Sequence, residues 1–141
     1  MHIRKATQSD NEALVKVIDR AYEIYKIELP DLPDVSSGVE DDIADGNVWV
    51  AESGGIVGGV FLTFDKSDAV LTNIAVDPIR SGEGIGKALI AHVQAECKKR
   101  GFLTLKLATH IKMPENIALY SHLGWVETGC DGNKVFMSKQ L

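Results

Sequence analysis

Cysteine is scarce in this sequence. Cys97 and Cys130 are the only two, they form no CxxC pair, and no histidine stands beside either at metal-ligand spacing. A metal site is therefore not expected, and the two read as a reduced core thiol and a loop thiol. Long apolar runs are missing as well: the longest, around Val57 to Leu62, falls far short of the roughly 18 residues of a membrane span. The opening segment Met1 to Ala6 alternates in charge and lacks the apolar stretch of a signal peptide, so the expected address is the cytoplasm. Positive charge is also short. Fifteen Lys and Arg against twenty Asp and Glu leave a net charge of −5, which repels a polyphosphate backbone, and no basic face is visible. Nucleic acid and membrane are thus not expected partners.

What is present has the balance of an ordinary globular protein, 45% hydrophobic and 25% charged. At 141 residues, against a prior of about 150 per domain, a single domain over 1–141 is expected. A chain of this length buries about two thirds of its unfolded surface and needs no metal or disulfide to hold together. There is no internal repeat and no low-complexity tract, and Gly and Pro fall between periodic segments.

The periodicities predict an order of elements. His2 to Lys5 reads as a short strand, and Ser9 with Glu12 three residues on as a capping-box start for a helix. That helix carries Leu14, Val17, Ile18, Ala21, Tyr22 and Tyr25 at helical spacing and ends before Pro30 and Pro33. Val39 to Ala44 reads as a second short helix. Its acids Glu40, Asp41, Asp42 and Asp45 are foremost a solvated face, with attraction of a cationic substrate as the minor reading. Val48 to Ala51, Val57 to Phe64 and Val70 to Val76 read as strands, the first two as a hairpin. Ile85 to Arg100 is the clearest helix, with Ile85, Leu89, Val93 and Cys97 on one stripe and Gly101 as its stop. A strand over Phe102 to Leu107 follows, then a helix opened by Pro114 and closed by Gly124, then strands at Trp125 to Glu127 and Val135 to Ser138. Such an order predicts a mixed sheet with helices on its faces.

The segment Asp77-Pro-Ile-Arg-Ser-Gly-Glu-Gly-Ile-Gly-Lys87 joins a strand to the strongest helix. Three glycines at alternate positions exceed what a tight turn needs. They permit close approach of another molecule to the main chain, with N–H groups of the loop and first helical turn aimed at an anion such as a phosphate. Neither of two common phosphate loops fits. A Walker loop fails because Ser81 stands where its first Gly belongs and Ala88 follows Lys87. The dinucleotide fingerprint fails because its third Gly would fall on Lys87 or Leu89.

The strand Leu71 to Val76 running into DPIRSGEGIGKAL resembles the acyl-CoA-binding segment of the GNAT superfamily of N-acetyltransferases. PENIALYSHLGW, Pro114 to Trp125, is similar to that family's second cofactor segment, and the element order is the family's over nearly the full chain. The implied fold is α/β of the α+β type: a mixed, mostly antiparallel sheet of about seven strands with helices on both faces. The implied activity is transfer of an acetyl group from acetyl-CoA, a co-substrate, to a primary amine of a small molecule or peptide. By the same resemblance, the backbone of Ile74, Ala75 and Val76 pairs with the pantetheine amides, and the loop Ser81, Gly82, Glu83, Gly84, Ile85, Gly86 and Lys87 holds the pyrophosphate. One departure stands out. Ser81 occupies a position that the family usually gives to Arg or Gln, with Arg80 beside it, so a side-chain contact is either lost or supplied by Arg80 or Lys87.

Acyl transfer from a thioester asks for a neutral amine, a stabilised oxyanion and a proton for the departing thiolate. Tyr120 is the expected general acid, since a phenol with a pKa near 10 keeps its proton at neutral pH. Asn116, four residues earlier, shares its helix face and joins the cofactor residues. Without the family pattern Tyr120 would read as a core aromatic. A cysteine nucleophile has little support, so direct attack by the amine is expected. His110 is the foremost base, ahead of Glu28, Asp31 and Glu115, with a water chain as the alternative. The acceptor pocket is expected around Tyr22, Tyr25, Glu28 and Asp31. The rival reading is a non-catalytic CoA-binding or partner-binding module of the same fold; the acceptor's identity and the oligomeric state, a homodimer included, stay open.

Overall fold

The computed structural model describes residues 1–28 and 38–141, with the backbone alone over 24–28. The expected loop at Pro30 and Pro33, Asp31, and the side chains of Tyr25 and Glu28 lie outside the described residues. The elements are β1 (His2–Lys5), α1 (Asn11–Glu28), α2 (Val39–Ala44), β2 (Val48–Glu52), β3 (Ile56–Phe64), β4 (Ala69–Val76), α3 (Ile85–Lys99), β5 (Thr104–His110), α4 (Pro114–His122), β6 (Val126–Asp131) and β7 (Lys134–Gln140). The seven strands are hydrogen-bonded in the order β1-β2-β3-β4-β5-β7-β6. β1 with β2, β2 with β3, β5 with β7 and β6 with β7 are antiparallel. β4 and β5 are parallel over three residue pairs, Ala69↔Leu105 to Leu71↔Leu107. The expected mixed sheet is therefore observed.

Two compact units divide the chain, one of Met1–Phe61 and Asn73–Val93, the other of Leu62–Thr72 and Gln94–Leu141. In the first, the α1 stripe Leu14, Val17 and Ile18 packs with Val39 and Ile43 of α2 and with Val48, Val50, Phe61 and Ala75 of the strands. Neighbouring glycines in β3 set how closely helices approach, because successive strand positions face opposite sides. A Cβ on Gly59 would come 2.5 Å from Leu14 Cδ1 in α1. One on Gly58 would come 3.0 Å from the Ala75 carbonyl, 3.1 Å from Ile85 Cγ2 and 3.2 Å from Leu89 Cδ1, so α3 lies against the other face. The four stripe residues of α3, Ile85, Leu89, Val93 and Cys97, are all buried as the periodicity predicts.

Two local expectations shift. The box at the start of the first helical segment is formed by Thr7 and Asp10 rather than Ser9 and Glu12, with the Thr7 N–H donating to Asp10 Oδ2 at 2.8 Å. Asp10 is fixed there by Arg4, whose Nη1 and Nη2 reach its two oxygens at 2.8 and 2.9 Å. Cys130 lies in strand β6 rather than in a turn, because that strand continues to Asp131 and pairs Cys130 with Val135; the turn is the following Gly132-Asn133. Its sulfur is exposed and that of Cys97 buried.

In the second unit β5, β7 and β6 form the sheet, with Leu105, Leu107, Val135 and Met137 buried. The Phe64 and Phe102 rings stack 5.2 Å apart, and the Arg100 guanidinium lies 4.7 Å from the Phe64 centroid.

Two stability tests follow from this packing. Gly59→Val forces a branched side chain into the buried Leu14 and is expected to cost about 2 kcal/mol, read as a lower urea midpoint. The Arg4 guanidinium holds the Asp10 carboxyl down at about 2. The pair therefore contributes its full stabilisation above the unfolded carboxyl value near 3.9 and loses it as pH falls through about 2. Asp10→Ala is expected to be less stable than wild type by about 1–2 kcal/mol at pH 7. That gap should narrow steadily between pH 4 and pH 2 in thermal melts.

Candidate functional site

Strand β4 ends in a tightly held corner. The Asp77 N–H donates to the Val57 carbonyl at 2.8 Å, and its carboxylate accepts the Ile79 N–H at 3.2 Å and Arg20 Nη1 at 2.7 Å. Proline then sets φ for one tight turn over Pro78–Arg80, closed by the Arg80 N–H on the Asp77 carbonyl at 2.9 Å. The chain next passes through Gly82 at φ +84° and Gly84 at φ +77°, a conformation that side chains resist. The Gly84 carbonyl accepts the Ala88 N–H at 3.0 Å, so Gly84 caps α3 and Ile85, Gly86 and Lys87 form its first turn.

The result is a concentration of unused donors. Among the described residues, no group accepts a hydrogen bond from the N–H of Gly82, Gly84, Ile85, Gly86 or Lys87. Gly82 and Gly84 are exposed, and a Cβ built on either meets nothing within 4 Å. Left-handed glycines alternating with other conformations turn successive N–H groups to one side, and the start of a fifteen-residue helix adds its dipole. Both features suit a phosphate group, so the residues present fit the anionic part of a CoA molecule. Ser81 and Lys87 are exposed on the same segment.

The other expected residues fall as follows. Ala75 is buried in the core of the first unit, and Ile74 and Val76 are half-buried. Tyr22 reaches this strand: its hydroxyl donates to Asn73 Oδ1 at 3.0 Å and lies 3.3 Å from the Ile74 carbonyl. Arg80 turns to Glu83 and Ser53. In the second unit Asn116 is half-buried and Tyr120 buried on one face of α4. The His110 Nδ1 at the end of β5 accepts the Lys112 N–H at 3.0 Å. Burial pushes the Cys97 thiol up to about 11, which removes it as a nucleophile. Glu115 is exposed in the first turn of α4.

Sequence reasoning missed Trp125. Gly124, at φ +91°, ends α4 with its N–H on the Ser121 carbonyl at 3.1 Å, while the Trp125 N–H donates to the Tyr120 carbonyl at 3.0 Å. This is the Schellman closure, in which the residue after the glycine folds back on the last helical turn. It sets the Trp125 ring 5.5 Å from that of Tyr120, and both are buried. The signal was legible as a glycine followed by a large aromatic at a helix end.

Residues 44–127 match the family model described as an acetyltransferase (GNAT) domain. The chain belongs to the GNAT family. It is 45% identical over 60 residues to the ribosomal protein bS18-alanine N-acetyltransferase of Escherichia coli strain K12, a match covering 43% of this chain and 40% of that protein. The chain thus spans about two fifths of the length of the first curated relatives it matches. A solved ribosomal-protein-alanine N-acetyltransferase from Brucella melitensis is 28% identical with a TM-score of 0.77, covering all of both chains. The PaiA N-acetyltransferase of Thermoplasma acidophilum in complex with coenzyme A gives a TM-score of 0.88 over 99% of this chain and 98% of that one. At 19% identity that likeness shows the GNAT fold alone. Among the described residues no cluster of His, Cys, Asp and Glu suits a metal ion, and no helix is long and apolar enough to cross a membrane.

The three glycines of the GNAT loop are not equivalent. Gly82→Ala and Gly84→Ala place a side chain in the left-handed region and should each lower stability by about 1 kcal/mol. Gly86→Ala, whose Cβ meets only Val76 Cγ2 at 3.6 Å, should raise it through better helix propensity. Urea titration of the three variants checks the opposite signs.

Proposed function

We propose that this chain binds acetyl-CoA and transfers the acetyl group to a primary amine of a small molecule or peptide in the cytoplasm. The observation that carries the reading is the set of N–H groups without acceptors at Gly82, Gly84, Ile85, Gly86 and Lys87, at the head of a well-packed helix. Those N–H groups would hold the pyrophosphate, and the backbone of Ile74–Val76, which continues β4 beyond its ladder with β5, would pair with the pantetheine amides. The thioester supplies an activated acetyl carbon. The neutral amine attacks that carbon, the C–N bond forms as the C–S bond breaks, and the phenol of Tyr120 gives its proton to the departing sulfur. The amine proton passes to His110 or through a water chain to solvent, and a proton from solvent restores the Tyr120 phenol.

The acceptor reading draws on charge. No Lys or Arg stands between Lys26 and Lys66, a stretch with nine acids. In α2, burial foremost, with Asp45 and Asp41 adding like charge, raises the pKa of Asp42. A field of this sign attracts protonated amines. The alanine N-acetyltransferases to which the chain is similar act on a ribosomal protein, which supports a peptide amine as one acceptor class.

A second reading, a CoA-binding module without catalysis, is favoured by Ser81 and by an Arg80 turned toward Ser53. Calorimetry with acetyl-CoA and release of free thiol with a panel of amines separate the two. Binding in the micromolar range or tighter is expected, with thiol release; binding alone supports the module, and no heat of binding removes both readings. Tyr120→Phe should lower turnover about a hundredfold while the CoA dissociation constant stays within about threefold. Unchanged turnover would return Tyr120 to a purely structural role.

A further inference from the structure

Arg80 stands one residue before the position at which GNAT loops usually carry Arg or Gln, and its guanidinium is engaged on three sides. Nε donates to Glu83 Oε2 at 2.8 Å, Nη1 to the Ser53 carbonyl at 3.2 Å and Nη2 to Ser53 Oγ at 3.1 Å. Ser53 begins the turn between β2 and β3 and is fixed by its own N–H on the Gly55 carbonyl at 2.8 Å. One planar fork thus spans two loops, a geometry that the single ammonium of lysine does not reproduce. Glu83 sits between the two left-handed glycines, where its carboxylate has the same sign as any phosphate the loop receives. The pairing holds the Glu83 carboxyl below its usual range.

We propose that Arg80 is a positioning residue: it ties the Gly82–Gly86 loop to the β2–β3 turn and cancels the charge of Glu83, so that the loop accepts a pyrophosphate that Arg80 itself does not touch. The inference rests on the cofactor reading above. Its physical content is preorganisation, because an exposed glycine loop must otherwise be ordered by the ligand at the ligand's expense in affinity. It also explains how an acid is tolerated inside an anion-binding loop. An unneutralised carboxylate there would weaken binding of a multiply charged ligand by about tenfold.

The test has two parts. CoA binding is measured by calorimetry for wild type, Arg80→Ala, Glu83→Gln and the double variant, and hydrogen exchange over residues 78–88 is followed in the ligand-free proteins. Arg80→Ala should weaken binding about thirtyfold and speed exchange in the loop, Glu83→Gln should bind at least as tightly as wild type, and the double variant should recover to within about fivefold. Equal losses in Arg80→Ala and the double variant, with exchange unchanged, would mean direct contact with phosphate and overturn the proposal. So would an Arg80→Ala protein with wild-type affinity and exchange. If wild type binds no CoA while Arg80→Ala still exchanges faster, the cofactor reading falls and the tie between the loops stands.

Discussion

Close approach of α3 to β3 is the constraint from which the candidate site follows. A side chain at Gly58 would press on the Ala75 carbonyl, Ile85 and Leu89 together, so the bare backbone there lets the first turn of α3 settle onto the strands. That turn carries the free N–H groups, and it can present them only if the helix start is held fixed. The buried Ile85 and Leu89 hold it from below, and Asp77, bonded to Val57, Ile79 and Arg20, holds the corner that feeds it. Packing in the core thus sets the direction of dipoles at the surface.

The groups left without acceptors in this loop are main-chain donors rather than side-chain charges. Backbone N–H groups are fixed in place, cannot be titrated and need no neutralising partner. The Arg80 guanidinium bonds to Ser53 of a neighbouring turn, and Ser81 is a short, exposed side chain on the same loop. In the second unit, Tyr120 is supported in a comparable way by Trp125 and by the closure of its own helix.

Much of this was legible in the sequence because it is local or periodic. The stripes Leu14, Val17, Ile18 and Ile85, Leu89, Val93, Cys97 are buried as their spacing says, and Gly82 and Gly84 leave the main chain open to approach, with no atom within 4 Å of where a Cβ would stand. The features that escaped depend on partners in other elements of the chain. Asp10 became the box residue because Arg4 in β1 grips it. Cys130 joined a strand because Val135 lies across from it. Arg80 took its direction from Ser53, 27 positions away. None of these partners can be inferred from composition or periodicity.

The closure at the end of α4 makes the spacing between Tyr120 and Trp125 a fixed length. The ring formed by the Trp125 N–H and the Tyr120 carbonyl spans six residues and admits no other number. Each residue of an α-helix turns the chain by about 100°. One residue gained or lost between Ser121 and Gly124 would therefore swing the phenol to another side of its helix or detach the indole from it. Length variation among relatives should be absent from this stretch of four residues and free to accumulate in the β6–β7 turn at Gly132-Asn133.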